Sequence, residues 1–192
     1  MAPVKILLTT ALIPFMMLSG KSQDKEDIIV PGMLSAQLTL SPSYMLKSKQ
    51  AYFYLHGSLE GYVEKNVSIA GDFFYYLGNL SDETPSLQSH HNIFFGANYH
   101  FPKHQHDVYI GLQPGISFTK LNPEKYLLDE TTLGVNPLIS ISGGYNFFLN
   151  NYLHFFIQSR FITGKHHNNI RQNLNELRLS AGLGFNFPVK RR

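Results

Sequence analysis

From Leu34 onward the chain alternates apolar and polar residues in about eight successive segments. In 33–46 one parity reads Leu34, Ala36, Leu38, Leu40, Tyr44, Leu46, and the other Ser35, Gln37, Thr39, Ser41, Ser43. A strand sends successive side chains to opposite faces, so this segment has an oily side and a wet side. The same pattern places strands at 51–64, 67–79, 91–101, 107–121, 135–149, 152–165 and 174–187. All exceed the roughly 5–6 residues usual in soluble proteins and meet the roughly 9–11 that a tilted strand needs to cross a bilayer. After residue 22 no segment carries a convincing helical period.

The links alternate in length. Residues 65–66, 102–106 and 150–151 are tight. Residues 80–90, 122–134 and 166–173 are longer and polar, and 47–50 is the one short exception. Short turns on one side and longer loops on the other predict a closed, antiparallel, up-and-down all-β barrel with both ends of the chain on the short-turn side.

Alternation alone fits a soluble barrel with an apolar interior or a transmembrane barrel with an apolar exterior. The polar parity decides. A solvated sheet face carries many Lys and Glu. Here the strands hold almost no Lys away from their ends. The wet parity instead offers Ser35, Ser58, Ser68, Gly96, Gly111, Gly115, Ser140, Ser142, Ser180, Gly182 and Gly184, which suit a narrow lumen. On the oily parity, Tyr44, Phe53, Tyr75, Phe118 and Phe161 fall toward one rim. Tyr99, Phe101, Tyr145, Phe147, Phe155, Phe185 and Phe187 fall toward the other, as two aromatic girdles. Pro42, Pro114 and Pro137 lie on this parity and are expected to mark bulges or near-rim irregularities.

After a short leader come Lys5, an apolar stretch over 6–18 and small residues at Gly20 and Ser22, the pattern of a cleaved signal peptide spanning 1–22. Residues 23–32 read as a polar, mobile lead-in, 33–187 as the barrel, and 188–192 as a basic tail. Net charge is +3 without a long basic run, which argues against nucleic acid. Cysteine is absent, so there is no thiol chemistry and no lipoprotein anchor.

The few strand charges suggest a lumen network in which Glu60, Glu64 and Asp72 pair with Arg160 and Arg178. With Glu60, Asp72, Arg160 and Arg178 as its core, it would fill the barrel. Of the nine His, His90-His91, His104, His106 and His166-His167 sit on links in this reading, while His56, His100 and His154 share the lumen parity. No converging metal set is evident, and no cofactor is expected. A hydrolytic site would have to use His91, Asp82 or Glu83, and Ser89. No nucleophile elbow supports it, so the chain is read as non-enzymatic. The loops, with Leu87, Tyr126, Leu127 and Leu128, could meet an extracellular protein or surface ligand.

The last strand ends Ser180-Ala181-Gly182-Leu183-Gly184-Phe185-Asn186-Phe187. Ser180, Gly182, Phe185 and Phe187 resemble the C-terminal assembly signal of bacterial outer-membrane proteins, although Pro188 to Arg192 follow the final aromatic. With the whole mature pattern, the chain resembles the small OmpA/OmpX-type, porin-like barrels common in Bacteroidetes. That resemblance implies residence in the outer membrane of a Gram-negative bacterium, contact with its lipid, and handling by the barrel-assembly machinery. It implies no single activity. A structural or surface-interaction role with a filled lumen comes first, a narrow porin-like channel second, and a lipid A-modifying enzyme last.

Overall fold

The computed structural model describes residues 28–80, 84–127, 132–167 and 170–187. The signal peptide and the basic tail lie outside them, as do Asp82, Glu83 and Leu128. Eight long strands form the wall: β1 (Leu34–Met45), β2 (Gln50–Glu64), β3 (Val67–Asn79), β4 (Leu87–Lys103), β5 (His106–Leu121), β6 (Gly134–Phe148), β7 (Leu153–His166) and β8 (Glu176–Phe187). Each pairs antiparallel with its sequence neighbours. β8 closes on β1, with Leu34 opposite Phe187 and Met45 opposite Glu176. The fold is therefore the closed up-and-down barrel expected from the alternation. A two-residue rung, Gln172–Asn173, pairs with Lys165 and His166 beside the β7 end.

The predicted faces hold. Leu38, Phe95 and Leu112 point outward and are 63%, 64% and 60% exposed. Glu60, Asp72, Asp107, Arg160, Glu176 and Arg178 all point inward and are buried. The outward strand charges Glu64, Lys103, Lys120 and Lys165 lie within two residues of strand ends.

Inward glycines make room for large cross-strand neighbours. A Cβ on Gly115 would meet the Phe94 ring at 2.3 Å, and one on Gly144 would meet the Tyr109 ring at 2.4 Å. Gly115 lies opposite Phe94, and Gly144 opposite Tyr109. Outside, the Phe73 ring covers Gly57 in the same way.

The prolines interrupt ladders without bulges at their own positions. Pro42 keeps register with Phe53 on β2, but the β1–β8 ladder is missing between Gln37 and Ser43. Two side chains fill in: Thr39 Oγ1 donates to the Ala181 carbonyl at 2.7 Å and Ser41 Oγ to the Leu179 carbonyl at 2.8 Å. Pro114 likewise sits at a break between β4 and β5, and the β6–β7 ladder stops just short of Pro137. A proline has no N–H to give, so the partner carbonyl must find another donor.

Three further expectations need correction. Residues 28–32 are not a mobile polar lead-in. Val30-Pro31-Gly32-Met33 makes a tight turn, with Gly32 at φ 89° and the Met33 N–H on the Val30 carbonyl at 3.0 Å. Gly32 N–H then donates to the Tyr62 carbonyl at 2.7 Å, and Ile29 and Met33 bury against Tyr62 and Phe148. A helical turn exists where none was expected: Pro123–Tyr126, capped by the Asn122 side chain and ended by Leu127 in the left-handed conformation. Finally, β4 begins at Leu87 rather than His91, which moves His90 from a link into the wall.

Candidate functional site

Among the described residues the buried ionisable side chains gather in the lumen, and they are layered. Nearest the loops, Met45, Tyr52, Leu87, Leu121, Leu138, Ile162 and Leu174 form an apolar cluster with Tyr54, Phe74 and Phe94. These residues share the wet parity, so the interior is not uniformly polar as the small-residue pattern suggested. The apolar positions sit where the wet face reaches the loop end, and they seal it from water.

Below this lid, Arg178 pairs with Glu176. The Arg178 guanidinium carbon lies 3.9 Å from the Tyr54 ring centre and 4.3 Å from that of Phe74. Tyr54 Oη is 3.0 Å from His90 Nδ1 and donates to Glu176 Oε2 at 3.4 Å. Aromatic faces stabilise a desolvated guanidinium through the ring quadrupole.

The middle layer centres on Asp72. Arg160 Nη2 donates to Asp72 Oδ2 at 2.7 Å, and His56 Nε2 lies 3.0 Å from Asp72 Oδ1. Arg160 also donates to the Gln113 side chain and, at 3.0 Å, to Ser140 Oγ. His56 Nδ1 is 3.0 Å from Ser180 Oγ, which donates to Ser41 Oγ at 3.0 Å. A hydrogen-bonded chain thus runs from Asp72 on β3 through β2 and β8 to the proline-marked gap in β1.

The third layer holds Glu60, Ser68, Asn98, His100 and Asp107. His100 Nδ1 stands 2.8 Å from Asp107 Oδ2, and its Nε2 stands 2.8 Å from Ser68 Oγ and 3.2 Å from Glu60 Oε1. Asn98 and Ser68 both donate to Glu60 Oε1, at 2.6 and 2.5 Å. Serine, histidine and aspartate in this order match a nucleophilic triad. The hydroxyl proton, however, goes to Glu60, and carboxylates face both imidazole nitrogens. No ring nitrogen is left to take a serine proton, and Ser68, His100 and Asp107 are each 0% exposed. Ile29, Met33, Tyr62 and Phe148 then close the short-turn mouth.

The sequence-selected residues therefore divide. Asp72 and Arg160 meet directly. Glu60 pairs with His100, two strands away on the same inner face, and not with an arginine. Arg178 takes Glu176 instead of Asp72. Glu64 is exposed at the end of β2. Glu176, His90, Asp107, Tyr54 and Gln113 were missed. Glu176 and Asp107 share the inward parity of Arg178 and Tyr109, and that parity was the available signal. His56, His100 and His154 are lumen residues, His154 contacting Gln37 at 3.0 Å. His106 and His166 belong to β5 and β7, and His166 is buried beside Asn136. His91 faces outward, its ring 4.5 Å from that of Tyr75, and its Nδ1 accepts the Tyr76 N–H.

All twelve girdle aromatics lie on the outward parity. Tyr99 and Phe101 have ring centres 5.1 Å apart, and Tyr145 Oη contacts His106 Nδ1 at 2.5 Å. In β8, Ser180 and Gly182 face the lumen while Phe185 and Phe187 face out. Among the described residues no group of His, Asp and Glu is arranged to hold a metal.

No family model matches the chain, and no curated protein matches it. Solved structures do. Neisserial surface protein A matches with TM-score 0.63 and 14% identity over 81% of this chain and 96% of that one. The outer membrane protein OprG from Pseudomonas aeruginosa matches with TM-score 0.62 and 8% identity, over 85% and 100%. The N-terminal β-barrel domain of Pseudomonas aeruginosa OprF matches with TM-score 0.56 and 14% identity, over 82% and 98%. At such identities the likeness is one of fold: the small eight-stranded barrel of outer-membrane proteins.

Proposed function

We propose that this chain is an integral outer-membrane β-barrel protein of a Gram-negative bacterium, with a structural or surface-interaction role, a closed lumen and no catalysis. It belongs in this reading with the OmpA/OmpX-like barrels, is exported by the 1–22 signal peptide, and is recognised for assembly through Ser180, Gly182, Phe185 and Phe187. The observation that carries the proposal is the inversion of the wall. Every charged side chain of the strand interiors points into the lumen, while leucine, isoleucine and phenylalanine cover the outside. In water such an exterior would drive association. In hydrocarbon it is the stable face, and the closed ladder leaves no edge unpaired.

The apolar clusters at both mouths support a closed lumen over a porin-like channel. Interaction with an extracellular protein or surface ligand then falls to the loop end, where Leu127 is 92% exposed. Membrane fractionation followed by heat-modifiability on a denaturing gel tests the proposal. The folded protein should partition with outer membranes and change mobility only on boiling. Recovery as a soluble periplasmic species without a mobility shift would refute it.

A further inference from the structure

We infer that the outer wall between β6 and β7, at the loop end, is a binding site for the phosphate-bearing headgroup of a membrane lipid. The inference rests on the outer-membrane reading, which makes this wall face lipid. Where the β6–β7 ladder stops short of Pro137, the wall opens into an outward groove of about 390 Å³. Its floor includes Pro137 and Ile139, and its rim Lys165, His167, Asn173 and Asn175. An apolar floor under a polar rim, at the height where strands give way to loops, is the profile of an amphiphile site.

The rim selects the charge. Asn175 Oδ1 is occupied, accepting from Thr163 Oγ1 at 3.0 Å and from the Gly164 N–H at 3.3 Å. Asn173 Oδ1 accepts the Asn175 N–H at 2.8 Å. What remains for a ligand is two amide NH₂ groups, the Lys165 ammonium and the His167 ring, none with a side-chain partner among the described residues. With both amide oxygens already engaged and the amide NH₂ and ammonium donors free, the rim favours an anion.

The surrounding sequence agrees. The stretch 163–175 carries Lys165 and Arg171 and contains no Asp or Glu. The other long loops are acidic by comparison: 80–90 holds Asp82 and Glu83, and 122–134 holds Glu124, Asp129 and Glu130. Cationic residues at a bilayer surface attract anionic headgroups, each by a factor of about five.

Native mass spectrometry of the folded full-length mature protein, released from a neutral detergent, tests the site. The probes are dioleoyl phosphatidic acid, dioleoyl phosphatidylcholine and inorganic phosphate. Phosphatidic acid should be retained over phosphatidylcholine, and inorganic phosphate should give no adduct. Lys165→Gln should cut that preference about five-fold, while Lys165→Arg preserves it and Lys103→Gln, at the opposite rim, leaves it unchanged. Equal retention of the two lipids, an inorganic phosphate adduct as strong as the lipid, or an unaltered preference in Lys165→Gln would each overturn the inference. Heat-modifiability is scored on the same samples. A barrel that shifts on boiling but shows no preference sinks this site alone, whereas a chain that never forms a heat-modifiable barrel sinks the outer-membrane reading with it.

Discussion

Arg160 on β7 reaches across the lumen to Asp72 on β3, four strands away round the wall, and closes a 2.7 Å ion pair with both side chains about 1% exposed. Neither residue has water to fall back on. Removing one partner of such a pair costs about 3–5 kcal/mol, whereas replacing both with apolar residues of similar size is often neutral. Asp72→Leu alone and Arg160→Met alone should therefore each destabilise the barrel by about 3–5 kcal/mol. Asp72→Leu combined with Arg160→Met should restore most of that loss. Urea unfolding of the four proteins in lipid vesicles closes the cycle. Additive single and double losses would show that the pair is not coupled.

Ser41 makes a sharper local case. Pro42 cannot donate to β8, and the Leu179 carbonyl takes its hydrogen bond from Ser41 Oγ. A carbonyl left without a donor inside a membrane wall is costly. Ser41→Ala should lose about 1–3 kcal/mol, and adding Pro42→Ala, which returns an N–H to the ladder, should recover part of it. An equally large loss in the double variant would mean that the proline break is not what Ser41 repairs.

The legibility of these features followed the strength of their signals. Face assignment was fully legible, because a period of two leaves only two choices and the charges chose between them. The partners were not. Parity says that Glu60 and Arg160 both face inward, but it does not say which are level with each other. That depends on the register between strands, which put His100 beside Glu60 and Asp72 beside Arg160. The cap at 28–33 was hidden by its acidic flank, although Pro31-Gly32 is a strong turn signal. The apolar lid was hidden because Leu87, Leu121, Leu138 and Leu174 break the polar parity only at its loop end, where they read as boundary noise.

The cap depends on a conformation that glycine alone adopts cheaply. Gly32 sits at φ 89°, so Gly32→Ala should strain the turn by about 1 kcal/mol or more and loosen Ile29 from Phe148. Faster hydrogen exchange at position 32 and at Tyr62, with the rest of β2 unchanged, would show it. Planar-bilayer recordings should stay silent for wild type and for this variant, since the loop-end lid is intact in both. Steady conductance through wild type would end the closed-lumen account.

Charge on the outer wall should be penalised by depth. Leu112 lies midway along β5 and Tyr44 near the end of β1. Leu112→Arg should cost about 2–4 kcal/mol and Tyr44→Arg about 0–1 kcal/mol in vesicle refolding titrations. Equal costs at the two positions would argue that hydrocarbon does not set the penalty.

The chain has no tryptophan, so a single introduced indole reports from one place only. Leu112→Trp on the outside and Phe156→Trp in the lumen, each reconstituted with bromine-labelled lipid, read the orientation of the wall directly. The indole at 112 should be strongly quenched by bromines near the acyl-chain ends, and the indole at 156 should be spared. Quenching at 156 with none at 112 would turn the barrel inside out and contradict the assignment.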